Sequence, residues 1–294
     1  MKAELIWPVA ALLGEGPVWR ADRQELWFTD IKGRRLHRYQ PSGHGQASFD
    51  LPGEAGFVVP APDDALVLGM GRALYRRGSR GDLSRIGEVP TPWHNRINDG
   101  TTAPDGSIWF GTMDDGETRP TGNVYRFDGR TGGMSIATPA CTIVNGPAIG
   151  GDGGLIYHVD TLAGIIWRAE IAPDGSLHHT ERFAAIAPAD GNPDGVTIDA
   201  AGGVWVGLWG GWALRRYDAA GHITHQIALP CANVTKVAFG GADLCTGFVT
   251  TARVGLNEAA LATQALAGGL FGFAAPYPGL VCPQAAMPIS AAMP

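Results

Sequence analysis

Four oxygen-bearing side chains sit at nearly the same distance ahead of an aromatic residue, on separate stretches of the chain. Glu15 lies 12 residues before Trp27, Asn98 lies 11 before Trp109, Asn145 lies 12 before Tyr157 and Asp194 lies 11 before Trp205. Thr235 and Lys236 stand 13 and 12 residues before Phe248, in the same phase. Any one of NDG, NGP or PDG alone is an ordinary turn sequence. Glu15 is not a favoured turn residue, and the shared phase points to one site. Two carboxylates with amides form an all-oxygen set, which suits a hard or borderline divalent cation such as Ca²⁺, Mg²⁺ or Mn²⁺. Arg96, two residues before Asn98, adds a fork of donors for an oxygen-rich or anionic ligand. The eight histidines form no HExxH spacing, and no GxSxG is present.

The elements that must position these residues follow from a repeat. An apolar strand, a polar or glycine loop and a strand of the type x-φ-x-R-φ recur six times, from ELWFTDIKGRRLHRYQ (25–40) to the copy spanning 244–274. With Trp27, Val67, Trp109, Tyr157, Trp205 and Phe248 as equivalents, the intervals are 40, 42, 48, 48 and 43 residues. Short strands rich in aromatic and β-branched residues, separated by Gly/Asp/Pro turns, predict an all-β fold: a six-bladed β-propeller of four-stranded antiparallel blades. Equivalent positions of successive blades are related by rotation about the axis, so residues that begin the innermost strands converge at one mouth. The second unit departs from the pattern, with Gly56-Phe57 in the phased place and Glu54 slightly off it. Loops 111–123 and 251–269 are the longest on that face and read as lids. Trp209 and Trp212 fall there too, for packing between blades or for covering a ring. NEAALATQ (257–264), with Asn257 as N-cap, is the one helix candidate. AELIWPV (3–9) is expected to supply the outer strand of the last blade. The whole chain, 1–294, reads as one propeller domain with a Pro/Ala-rich tail, 275–294, that reads as partly ordered.

Composition narrows the classes. The chain of 294 residues carries 22 Lys+Arg against 28 Asp+Glu, a formal charge of −6, with no basic run. Nucleic acid is therefore not an expected partner. Gly (43) and Pro (21) fit frequent turns, and 45% hydrophobic residues suffice for a core. Cys141, Cys231, Cys245 and Cys282 show no metal or redox spacing. The apolar stretch LIWPVAALLG (5–14) follows Glu4, contains Pro8 and lacks a small-x-small cleavage site, so it is not read as a signal peptide. No continuous apolar run approaches a membrane span. The expectation is a cytoplasmic protein with no membrane partner.

In this order and phase, LGEGP (13–17), NRINDG (95–100), IWFGTM (108–113), NGP (145–147), PDG (193–195), FGG (239–241) and VTTAR (249–253) make the chain resemble the SMP-30/gluconolactonase/regucalcin family. GTMDDGE (111–117) and GLWGGW (207–212) are most similar to its bacterial sugar-acid (pentono- and gluconolactone) lactonases. The resemblance implies metal ligands at Glu15, Asn145 and Asp194, with Asp194 also catalytic, and substrate-binding residues at Arg96 and Asn98. Some relatives place a substrate-contacting glutamate three residues after GTM; here that position is Gly116, and Glu117 follows. The implied cofactor is one divalent ion: Ca, Fe(II), Zn, Mn or Mg. The implied activity is hydrolysis of a small sugar lactone (xylono-, arabinono- or gluconolactone) by a monomer or weak homo-oligomer. A non-catalytic calcium-binding regulator would not need the Arg96/Asn98 pair. A partner-binding scaffold would not need acids at the channel mouth. An esterase or phosphotriesterase propeller would be expected to place a histidine in phase.

Overall fold

The computed structural model describes residues 2–43 and 45–287. Six four-stranded antiparallel sheets form the blades of a propeller; in five the strands follow sequence order from axis to rim, and in the sixth the chain's first strand takes the outermost place. The innermost strands are Gly14–Arg20, Ala55–Pro60, Asn95–Thr102, Val144–Ile149, Asn192–Ile198 and Val234–Gly240. Each touches the next in cyclic order, and the sixth touches the first. The second strands carry the repeat markers: Trp27 pairs with Val18, Val67 with Val59, Trp109 with Thr101, Tyr157 with Ala148, Trp205 with Thr197 and Phe248 with Ala238.

The ring closes as expected from the N-terminal strand. Glu4–Trp7 pairs antiparallel with Leu270–Ala274 and becomes the outer strand of the sixth blade, so the first and last strands of the chain are joined in one sheet. Burial follows position. The inner strands of the first and sixth blades are buried throughout, whereas the first blade's outer strand, Gly45–Asp50, alternates with period two between half-buried and exposed positions. Aromatic side chains fill the wedges between blades, as where Phe57, Phe110 and Tyr125 meet, with Phe110 and Tyr125 stacked at 5.5 Å. The helix spans Glu258–Thr263, and the Asn257 side chain accepts from the Ala260 N–H at 2.9 Å. The four cysteines are free thiols. Among the described residues no helix is long and apolar enough to cross a membrane.

Residues 275–287 of the tail run across the base of the ring, opposite the phased residues. Gly279 N–H bonds Leu244 O, Ala285 N–H bonds Pro60 O and Ala286 N–H bonds Gly106 O, at 2.7–2.9 Å. Ala285 is fully buried. A composition of Pro and Ala lowers the chain entropy lost on ordering, and the base offers unpaired backbone groups to bond. For residues 288–294 the expectation falls outside the described residues.

Candidate active site

Every innermost strand breaks its ladder at the same height. In the first blade Glu15 pairs with Thr29 and Val18 with Trp27, so Gly16 and Pro17 face a single residue. The same two-for-one bulge holds Gly146-Pro147 in the fourth blade, Asp194-Gly195 in the fifth and Thr235-Lys236 in the sixth. In the second and third blades one extra residue is inserted, Gly56 and Asn98 respectively. A bulge bends its strand and re-aims a side chain that a regular ladder would send into the sheet face. Six bulges at one level turn their residues toward the axis.

Glu15, Arg96, Asn98, Asn145 and Asp194 are all buried there. Arg96 Nη1 donates to Asn98 Oδ1 at 2.8 Å, and Asn98 Nδ2 donates to Asn145 Oδ1 at 2.9 Å and to Val144 O at 3.0 Å. Asn145 Nδ2 donates to Thr161 Oγ1 at 2.9 Å, which fixes the amide's orientation and leaves its oxygen one free acceptor site. Glu15 Oε2 accepts from Gly16 N–H at 2.6 Å, while Oε1 is buried with no hydrogen-bond partner among the described residues. Burial, reinforced by the charges of Asp194 and Asp99, pushes the Glu15 carboxyl well above its ordinary range. Burial and the Asp99 charge do the same to Asp194, partly offset by Lys236.

The reading from sequence missed Asp99. It is fully buried, and both its oxygens accept from Lys236 Nζ at 2.7 Å. Asp99 also accepts from Gly100 N–H at 2.7 Å and Gly146 N–H at 3.0 Å. Lys236, already in phase, was the available signal: a lysine inside the buried strand NVTKVAF needs a buried carboxylate partner.

Glu117 does not join this cluster. It is exposed, at a φ of 55°, because Asp114 curls the loop back by accepting from Thr118 N–H, Thr118 Oγ1 and Arg119 N–H at 2.9–3.0 Å. Those bonds, led by the Thr118 amide, hold the Asp114 carboxyl down at about 2. The loop carboxylate that reaches the cluster is Asp115, which accepts from Arg96 Nε at 2.9 Å and from Lys32 Nζ at 2.8 Å. Lys32 in turn meets Glu54 at 2.9 Å. The loop is thus latched across the mouth to the first and third blades. The other long loop is tied to the N-terminal segment through Arg253 and Val254 N–H bonds to Leu12 O. Trp209 packs on Leu13, Ile31 and Ala252, while Trp212 stands 44% exposed.

Among the described residues no three His, Cys, Asp or Glu side chains are grouped to hold a metal ion. The set here differs in kind: two carboxylates and one amide, with Asp99 occupied by Lys236. An orphaned, buried Glu15 oxygen beside a second carboxylate held above its ordinary range is the environment a divalent cation relieves. The residues therefore fit one.

Relatives share this architecture along most of their length. The chain is 32% identical to an L-arabinolactonase of Azospirillum brasilense over 92% of this chain and 91% of that one. It is 34% identical to a pentonolactonase of Haloferax volcanii, over 82% and 81%. The structure superposes on a calcium-binding protein, regucalcin, of Agrobacterium tumefaciens with a TM-score of 0.92 at 26% identity, covering 96% and 97%. Residues 13–253 match the model of the SMP-30/gluconolactonase/LRE-like region, and the chain belongs to that family.

Proposed function

We propose that this chain is a cytoplasmic, metal-dependent lactonase that opens a small aldonolactone, such as xylono-, arabinono- or gluconolactone, to the sugar acid. The observation that carries the reading is the buried Glu15 oxygen without a partner, beside Asp194, Asn145 and the Arg96–Asn98 pair. The relatives named as arabinolactonase and pentonolactonase support the substrate class. A divalent cation held by Glu15, Asn145 and Asp194 would polarise the lactone carbonyl and stabilise developing negative charge on its oxygen.

The chain's own residues do the rest. Asp194 accepts a proton from the attacking water as the water oxygen bonds the carbonyl carbon. A carboxylate that holds a cation through one oxygen keeps its second oxygen available for that transfer. The ring C–O bond then breaks, and the same proton passes from Asp194 to the departing ring oxygen, so no covalent enzyme intermediate is needed. Arg96 and Asn98 orient ring hydroxyls, and their mutual hydrogen bond sets the two donors at a fixed angle before substrate arrives. The latched loop 114–119 limits water at the mouth. Every member of the cluster comes from one ring, which suits a monomer or a weak homo-oligomer.

The test measures acid release from pentono- and hexonolactones after full chelation and after restoring Ca, Mg, Mn, Zn or Fe(II) singly. We expect turnover only with metal, and its loss in Asp194→Ala. Full activity of that variant with metal present would overturn the mechanism. Metal binding without turnover of any lactone would favour a calcium-binding role like the one named for the Agrobacterium protein.

A further inference from the structure

The Lys236–Asp99 pair lies across the channel itself. Lys236 belongs to the sixth blade and Asp99 to the third, which face one another through the axis of a six-membered ring. The lysine stem reaches inward over Gly195, where a Cβ would fall 2.7 Å from Lys236 Cβ, Cγ and Cδ. Any side chain at Gly195 would push the stem away, so that glycine keeps the crossing open. Asp99 takes four donations, from Lys236 twice and from the Gly100 and Gly146 amides, which uses all of its acceptor sites. Of the three carboxylates facing the axis, Asp99 is therefore withdrawn from metal ligation, and Glu15 and Asp194 are left.

Space does not explain that division. Below the pair lies a cavity of about 320 Å³, lined mostly by apolar side chains such as Val18, Val59 and Val237, with Thr101 and Thr102 beside Lys236, and floored by the tail. It has room for a hydrated ion. Charge explains it: the ammonium already supplies one positive charge among three carboxylates.

Taking the proposed metal site as given, we propose that Lys236 is a built-in cation that keeps the channel mouth a one-metal site and sets the affinity of that metal. Removing the ammonium frees Asp99 as a third buried carboxylate with space beneath it, so a second ion binds. Removing the Asp99 charge instead leaves the ammonium unopposed beside the ligands and weakens the one ion that remains.

Binding of Mn²⁺, counted from the free-ion paramagnetic resonance signal and confirmed by Ca²⁺ titration calorimetry, reads this without any turnover. Wild type should bind one ion per chain, and Lys236→Met two. Asp99→Asn should bind one, about tenfold more weakly, the size of change a single buried charge a few ångströms away readily produces. The neutral pair Asp99→Asn/Lys236→Met should bind one near wild-type affinity, and it replaces Lys236→Met should that variant fail to fold, with Asp99→Asn then deciding. Two ions in wild type, one ion in folded Lys236→Met, or wild-type affinity in folded Asp99→Asn, would overturn the proposal. No ion bound by wild type would instead overturn the metal site on which it rests.

Discussion

Glu15 and Asp194 make the metal-free protein less stable than its fold allows, and Asp194→Asn should expose that. The substitution keeps the side-chain shape and removes one of two buried carboxylates that burial, with repulsion from Asp99 acting on both, holds above their ordinary range. In chelator we expect the variant to be more stable than wild type by about 1–2 kcal/mol, a rise in Tm of about 2–6 °C for a chain of this size. With divalent metal at a hundred times its Kd, wild type should gain about 2.7 kcal/mol, whereas the variant should gain little. Acid release should fall by about 10²–10⁴-fold, the range for losing a positioned base. The pH dependence has a definite sign. A carboxyl whose folded pKa is raised binds its proton more tightly in the folded state. Its favourable contribution is complete below the ordinary aspartate value, about 3.9, and is lost as pH rises through the folded value. Metal-free wild type should therefore gain stability on mild acidification, and Asp194→Asn should flatten that slope. Thermal unfolding across pH, with and without metal, measures all of it. A variant that unfolds below wild type in chelator, or gains as much from metal, would refute the reasoning.

Gly56→Ser should damage the site from the second blade, because a Cβ there would lie 2.4 Å from Asn98 O and 2.7 Å from Ile97 O. We expect a loss of about 2–4 kcal/mol in chemical unfolding, and a KM for lactone raised at least about tenfold as Arg96 and Asn98 shift. Asp114→Ala removes the acceptor that curls loop 114–119, so limited proteolysis should cut there and KM should rise while metal affinity holds. His158 is buried and its pKa is pushed down to about 4 by burial. Its neutral form is favoured by folding, so stability is lost as pH falls from about 6.5 toward 4, by roughly 3 kcal/mol. His158→Leu should reduce that acid sensitivity in urea unfolding. Truncation after Ala275 removes the bonds to Leu244, Pro60 and Gly106, and should lower Tm sharply and admit solvent dyes to the channel.

The propeller was legible because its period is written in large residues. Trp27, Trp109 and Trp205 fill equivalent wedges, and a wedge of fixed shape selects a large apolar side chain at a fixed interval. The phased polar residues were legible for the same reason, since each precedes its marker by 11 or 12 residues. Asp99 was not, because strand alternation assigns neighbours to opposite faces, and only the bulge at Asn98 brings both residues to the axis. Loop 114–119 defeats a reading by position: the curl that Asp114 imposes turns Glu117 outward and leaves Asp115 to meet Arg96. In the tail, composition reports chain stiffness and turn preference but not which backbone groups wait at the base to be bonded.

The recurrent bulge separates two problems that most folds solve together. Asn98, Asp194 and Lys236 lie inside it without a ladder partner, so exchanging their side chains leaves the pairing of their blades untouched, whereas Glu15 and Asn145 stand at its edge, paired with Thr29 and Val159. The ring therefore works as a set of seats around one table. Chemistry can be rewritten seat by seat, while the stability of each blade is decided in the strands outside it.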